Sequence, residues 1–144
     1  DQLGALNNLG NCYAAVERFE EAIATFEKVA HLYPDQPEAY NNIGAVYEAR
    51  SDHRHAEACY QDAIGVDASH PAAYFNLGSM LANTKRFTES VAYYEQYLTH
   101  APDAQDRTKV ESRIQKMRSE AGFSNTASRG GGALPACLSG SATH

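Results

Sequence analysis

The sequence repeats itself every 34 residues, and this period restricts the possible folds more than any other feature. The segments LNNLGNCY, YNNIGAVY and YFNLGSML begin at residues 6, 40 and 74, and each keeps an Asn and a Gly in the same register. A 34-residue period is typical of stacked helical hairpins, each of which buries its apolar face only against its neighbours. We therefore expect an all-α fold, an α-solenoid of three helix-turn-helix hairpins.

Apolar residues in each repeat follow helical spacing in two runs, with a polar break between them. In the first repeat, Leu6, Leu9 and Tyr13 mark one face of a first helix, and Phe19 and Phe26 mark the face of a second. The Gly of each first helix is expected to let the two helices approach closely, with an aromatic ring of the second helix beside it. These glycines are Gly10, Gly44 and Gly78.

The period also predicts boundaries along the chain. The array occupies 1–104, and its three repeats are 3–36, 37–70 and 71–104. Residues 105–122 predict a capping helix, because Val110, Ile114 and Met117 form one apolar stripe and the other faces are charged. The basic charge of this helix could instead mark an interaction surface. Residues 123–144 are rich in Gly, Ser and Ala and predict a disordered tail.

These spacings resemble the tetratricopeptide repeat. The pattern N-L-G-x-x-Y, F-x-x-A-x-x-x-F and P within 8–34 is echoed within 42–63 and 76–102. The resemblance implies a right-handed superhelix, in which the first helix of each repeat lines the concave side. It also shows a departure at the turn between the two helices, where the family usually has Gly. The residues there are Glu17, Ser51 and Lys85.

The resemblance assigns a peptide-binding role to the asparagine two positions before each Gly. Such an asparagine ladder faces the groove in superhelical members of the family, including the repeat region of O-linked N-acetylglucosamine transferases. A side-chain amide both donates and accepts, so it can hold the N–H and C=O of an extended peptide together. The alternative is that these asparagines bond only within their own repeats. The ladder is Asn8, Asn42 and Asn76, and the other groove residues expected are Asn7, Asn11, Asn41, Ala45, Phe75 and Ser79, with Glu38, Glu48, Ala82 and Asn83 toward the rim.

Another branch of the family binds C-terminal carboxylates with a clamp of Lys, Arg and Asn. Asn11 matches one Asn of that clamp, but Asn7, Ala72 and Asn76 stand where the resemblance would require cations. A bound carboxylate would then lack its charge-assisted hydrogen bonds. We therefore expect no such clamp here.

Charge is divided unevenly along the chain. Residues 1–106 carry 16 acidic and 6 basic side chains, a net of −10, whereas 107–144 carry 2 acidic and 6 basic side chains, a net of +4. An acidic array argues against a nucleic-acid partner and favours a neutral or basic peptide over an acidic one. The sequence has no run of 18 apolar residues, so neither a membrane span nor a membrane partner is expected.

The three cysteines are few, odd in number and widely spaced. They suggest neither a disulfide framework nor a zinc site, and they predict free thiols in a reducing, cytoplasmic compartment. Cys12 is expected in the core, where Val46 and Met80 are its equivalents in the other repeats. Cys59 is expected to be more exposed and more open to modification.

No catalytic or cofactor motif is present, so we expect no enzyme activity, no cofactor and no metal. His53 and His55 are interpreted as part of a polar turn. The predicted function is a non-catalytic scaffold for protein–protein interaction that binds an extended peptide of a protein partner. One alternative is a substrate-recruiting part of a larger enzyme, such as a glycosyltransferase. Another is self-assembly into a homo-oligomer through the first repeat, because the chain begins at a repeat boundary where further repeats or a second copy are expected.

Overall fold

The computed structural model describes residues 1–122 and 133–139, and within them the chain forms seven α-helices and no strand. The predicted all-α solenoid class, with helical hairpins followed by one more helix, is therefore confirmed. The helices are α1 Gln2–Ala15, α2 Phe19–Leu32, α3 Pro37–Ala49, α4 His53–Val66, α5 Pro71–Asn83, α6 Phe87–His100 and α7 Arg107–Ala121. They divide into two compact units. The first unit contains α1 to α4 and residues 134–139, and the second contains α5 to α7.

Each hairpin turns through the same helix cap. Arg18 N–H donates to Tyr13 O at 2.8 Å and Glu17 N–H donates to Ala14 O at 3.1 Å, which are the two bonds of a Schellman motif. Equivalent bonds close the other two hairpins. The cap places one residue per turn in the left-handed region, where Gly has no steric cost but other residues do. These residues are Glu17 at φ 61°, Ser51 at φ 61° and Lys85 at φ 63°.

We expect Lys85→Gly to raise the free energy of unfolding by about 1 kcal/mol, because Gly removes the left-handed strain at this exposed turn. Urea unfolding of this variant beside Lys85→Ala measures the effect, since Ala loses the same side chain but keeps the strain. A Gly variant no more stable than the Ala variant would show that the turn stores no strain.

An aromatic ring of the second helix lies against the Gly of the first helix in every hairpin. A Cβ built on Gly10 would come within 2.5 Å of Phe26 Cε1, and one on Gly44 within 2.7 Å of Tyr60 Cδ1. The third pair is Gly78 and Tyr94, with a closest approach of 3.1 Å. Carbon atoms pack best at about 3.5–4.0 Å, so the helices can lie this close only without a side chain at these positions. The three rings are buried, as the sequence predicts for the repeat core.

Adding one methyl group should have opposite effects at two glycines of the first unit. We expect Gly44→Ala to lower the free energy of unfolding by about 1–3 kcal/mol, because the methyl group would overlap the Tyr60 ring. Gly65→Ala, with nothing within 4 Å of its added Cβ, should instead raise it by up to about 1 kcal/mol through helix propensity. Thermal and urea unfolding give both values, and equal effects of the two variants would contradict the packing argument.

Residues 134–139 pack within the first unit. Cys137 is 2% exposed and forms a disulfide with the buried Cys59 of α4. The side chain of Leu138 lies against the apolar cores of this unit. Glu27 of α2 holds the end of the segment, because its Oε1 accepts hydrogen bonds from the N–H and the hydroxyl of Ser139 at 3.0 and 2.7 Å.

The expectation of a disordered tail over 123–144 is therefore wrong for residues 133–139. Residues 123–132 and 140–144 lie outside the described residues. The composition argument missed the packed segment because its anchor is a bond between cysteines 78 residues apart. Nothing in the local sequence around Cys137 marks it as a core residue.

The structure also reverses the expectations about individual cysteines. Cys59 is fully buried and bonded instead of exposed, and Cys12 is exposed instead of buried. Val46, the equivalent of Cys12, is covered because it packs in a cluster with Phe26 of the preceding hairpin. Disulfides persist mainly in oxidising compartments, so the cysteines no longer support the predicted cytoplasmic location.

Breaking the disulfide should destabilise the protein. We expect Cys137→Ser to lower the free energy of unfolding by about 2–5 kcal/mol, because the bond closes a long loop in the unfolded chain. Cys12→Ser is the matched control and should change stability little. Thiol titration of the unreduced, denatured protein should find one reactive cysteine per chain, and three reactive cysteines would refute the pairing.

Candidate functional site

The exposed side of α1 and α3 carries two of the predicted ladder residues. Asn8 and Asn42 each precede a core Gly by two residues, which is about 200° around an α-helix. They therefore lie away from the Gly–aromatic contacts. Asn8 is exposed and Asn42 is partly exposed. Asn11 and Ala45, one residue after each Gly, are also exposed, so this side of the first unit is open to a ligand.

Asn7 and Asn41 occupy equivalent places in α1 and α3 but differ in their surroundings. Asn41 is 9% exposed and is partnered within the protein. The side chain of Asn7 is partly exposed, yet its Oδ1 atom is buried without a hydrogen-bond partner. An unsatisfied buried acceptor costs about 1–3 kcal/mol. A donor that reached Asn7 Oδ1 would therefore recover this cost.

The third group of predicted residues lies on α5 in the second unit. Phe75, Asn76 and Ser79 are all partly exposed. The Phe75 ring meets the rings of Tyr94 and Tyr97 edge-on, with centroids 5.7 and 5.1 Å apart. Phe75 and Asn76 line a cavity of about 510 Å³ that extends to the C-terminal end of α6. The structure thus brings these two residues to one recess of the second unit.

A second cavity of the same unit, of about 480 Å³, lies beside α7 and is bounded by Phe75 of α5. We call it the cap groove. Besides Phe75, its lining consists of Asp106, Lys109, Val110, Ser112, Arg113 and Lys116. The three cations are spaced i, i+4 and i+7, so they form a row along one face of α7. The capping helix of the sequence prediction therefore presents a continuous basic edge to this groove.

Two of the charged residues in the cap groove are fixed by tyrosines, the partly buried Tyr97 and the buried Tyr94. Asp106 Oδ1 accepts a hydrogen bond from the Tyr97 hydroxyl at 2.7 Å. Burial, with this hydrogen bond and the carboxylate charge, raises the pKa of Tyr97 to about 12. Arg113 Nη1 donates to the Tyr94 hydroxyl at 2.9 Å, and its guanidinium lies over the Tyr94 ring. Asp106 and Arg113 are therefore held in place before any ligand arrives.

His55, in the first turn of α4, has a structural role. Asp52 Oδ1 accepts from the N–H of His55 at 3.2 Å, which caps α4, and the other carboxylate oxygen lies 2.7 Å from His55 Nδ1. The His55 ring stacks on Tyr47 at 4.8 Å. Within 1–122 and 133–139, no three His, Cys, Asp or Glu side chains are grouped to hold a metal ion. In the same residues, no helix combines the length and the apolar character needed to cross a membrane.

Helical hairpins that repeat a Gly–aromatic contact every 34 residues define a helical repeat protein. Two tetratricopeptide repeat family models match the chain, one over residues 1–69 and the other over 43–115. The second match alone covers just over half of the chain, so the chain belongs to the tetratricopeptide repeat family. No curated protein matches it at the level of sequence.

Solved structures of other repeat domains share this fold. The first repeat domain of Spaghetti (RPAP3), bound to the HSP90 peptide SRMEEVD, is 23% identical with a TM-score of 0.73, over 85% of this chain and 97% of that one. The TPR2B domain of yeast Sti1, in a complex with pHsp70, is 14% identical with a TM-score of 0.73, over 83% and 98%. The Yersinia enterocolitica chaperone SycD, in complex with a peptide of the translocator YopD, is 16% identical with a TM-score of 0.71, over 85% and 94%.

The predicted site residues did not include the α7 side of the cap groove, although an interaction surface marked by the basic charge of this helix was the alternative interpretation of 105–122. Its signal was present, because each of Lys109, Arg113 and Lys116 immediately precedes a buried apolar residue of the helix. One step along an α-helix is about 100°. A cation beside every member of the apolar stripe therefore lies at the edge of the contact with the rest of the unit, and not on the far face.

Proposed function

We propose that this protein is a non-catalytic scaffold that binds an extended peptide segment of a partner protein. The observation that carries the proposal is the exposure of polar amides on the first helices, on the side away from the Gly–aromatic core. The fold is one that other proteins use in this way, since structures of similar fold were solved with an HSP90 peptide and with a translocator peptide bound.

Asn8, Asn42 and Asn76 are the residues we assign to backbone recognition. An extended peptide advances about 3.3 Å per residue, and neighbouring helices pack about 8–10 Å apart. One asparagine per repeat would therefore hold about every third peptide residue through its backbone. Such contacts give affinity without reading side chains, so specificity would come from neighbouring positions such as Phe75 and Ser79.

Selection from a random peptide library, with the parent protein and the triple variant Asn8→Ala, Asn42→Ala and Asn76→Ala, tests the ladder. We expect the parent to retain peptides and the triple variant to bind them at least about tenfold more weakly, because each lost amide removes about 0.5–1.5 kcal/mol of hydrogen bonding. Circular dichroism and urea unfolding must show that the variant remains folded.

The control carries the changes Gln2→Ala, Gln96→Ala and Gln115→Ala, which remove three exposed amides outside the predicted groove. It should bind like the parent. Equal losses in both triple variants, or no loss in either, would return the asparagines to a role within their own repeats.

A further inference from the structure

We propose that the cap groove binds an acidic, extended segment of a partner protein, with carboxylates paired to Lys109, Arg113 and Lys116 and an apolar side chain against Phe75. The inference extends the proposed function, because it adds a basic surface that shares Phe75 with the predicted groove and selects its peptide by charge. It does not depend on the asparagine ladder, and none of the three ladder residues lines the groove.

The cations of α7 differ in what already neutralises them. Arg107 pairs with Glu111 at 3.0 Å, and Arg118 pairs with Glu95 across to α6. Among the described residues, no carboxylate pairs with Lys109 or Lys116. Arg113 contacts the Tyr94 side chain, which carries no charge to neutralise the guanidinium. The helix thus uses its outer cations for internal ion pairs and keeps the groove row available to a ligand.

The spacing of this row matches an extended peptide. With a rise of 1.5 Å per residue, the backbone positions of Lys109 and Lys116 lie about 10 Å apart along the helix axis. An extended peptide covers this distance in about three residues. Side chains alternate between the two faces of an extended peptide, so carboxylates at positions i and i+2 of a partner would lie about 7 Å apart on one face and reach two of the three cations.

The apolar wall gives the groove a second requirement. Phe75 is partly exposed, and its ring is supported edge-on by Tyr94 and Tyr97, so it offers a rigid apolar contact. The cavity volume of about 480 Å³ is large enough for one side chain with its flanking backbone. An apolar residue between the acidic residues is therefore part of the expected motif.

A protein segment fits better than a nucleic acid or a membrane surface. The Asp106 carboxylate lies in the same groove and would repel a continuous line of phosphates. Residues 1–106 have a net charge of −10, which opposes any long polyanion but affects a short segment less at physiological salt. The net charge of residues 1–106 favours a neutral or basic partner. The basic side chains are concentrated on α7, so the partner proposed for this groove is acidic instead.

Isothermal titration with the capped peptide acetyl-Gly-Glu-Leu-Glu-Glu-Gly-amide tests the proposal. The C-terminal amide of the peptide replaces its terminal carboxylate, so binding cannot come from a carboxylate clamp. We expect saturable binding that weakens between about 20 mM and about 150 mM salt. Replacing the Glu residues with Gln, or the Leu with Gly, should lower the affinity at least about fivefold, because charge and apolar contact both contribute.

The matched variants separate the contribution of the groove cations to affinity from the effect of the overall net charge. Lys109→Gln with Lys116→Gln should weaken binding about tenfold or more, whereas Lys28→Gln with Lys85→Gln changes the net charge equally and should leave affinity within about twofold. Equal losses in both double variants, or an oligothymidylate of equal charge binding more tightly than the peptide, would overturn the proposal.

The two proposals fail in different ways. Asn8→Ala with Asn42→Ala should leave affinity for the acidic peptide unchanged. If the parent selects library peptides but the acidic peptide binds no better than its Gln counterpart, the groove inference is wrong and the scaffold function stands. If the acidic peptide binds and the asparagine variants lose nothing, the groove stands and the ladder does not.

Discussion

The contact between an aromatic ring and a glycine backbone is the interaction on which each hairpin depends. Phe26, Tyr60 and Tyr94 each fill the space that a Cβ on the partner Gly would need. The contact sets the separation of the two helices, and that separation in turn decides which faces point outward. The polar side chains opposite each Gly are accessible because the Gly side is committed to this packing.

Periodicity could predict the fold because the repeat is written in core residues. Three glycines in equal register, apolar residues at helical spacing and prolines at the boundaries all favour the same class of structure. The turns agree with this class despite their composition, since Glu17, Ser51 and Lys85 adopt the left-handed conformation that the Schellman cap requires. At these three positions, the packing of the two helices overrides the preference of non-glycine residues for negative φ.

The failures of the sequence-based prediction share one physical cause, which is that neighbours distant in sequence decided burial. Cys12 is exposed on α1 whereas Val46 at the equivalent position packs against Phe26 of another hairpin, and Cys59 is covered by a segment 78 residues away. The candidate site was likewise predicted from spacing along the sequence. The exposure of Asn8 and Asn42 follows from the helical period, and so does the row of cations beside the apolar stripe of α7, but the burial of Asn41 and the contact of Phe75 with this groove depend on packing that no spacing encodes.

The disulfide between Cys59 and Cys137 makes the first unit discontinuous in sequence and places the whole second unit inside a closed covalent loop. On a ribosome, α1 to α4 emerge first, but the piece that completes their surface is made only after α5 to α7. Once the bond has formed, a single cut in the chain between the two cysteines leaves both fragments linked until the bond is reduced. The first unit is thus the first to be synthesised and the last to be completed, because its residues 134–139 are made after the second unit.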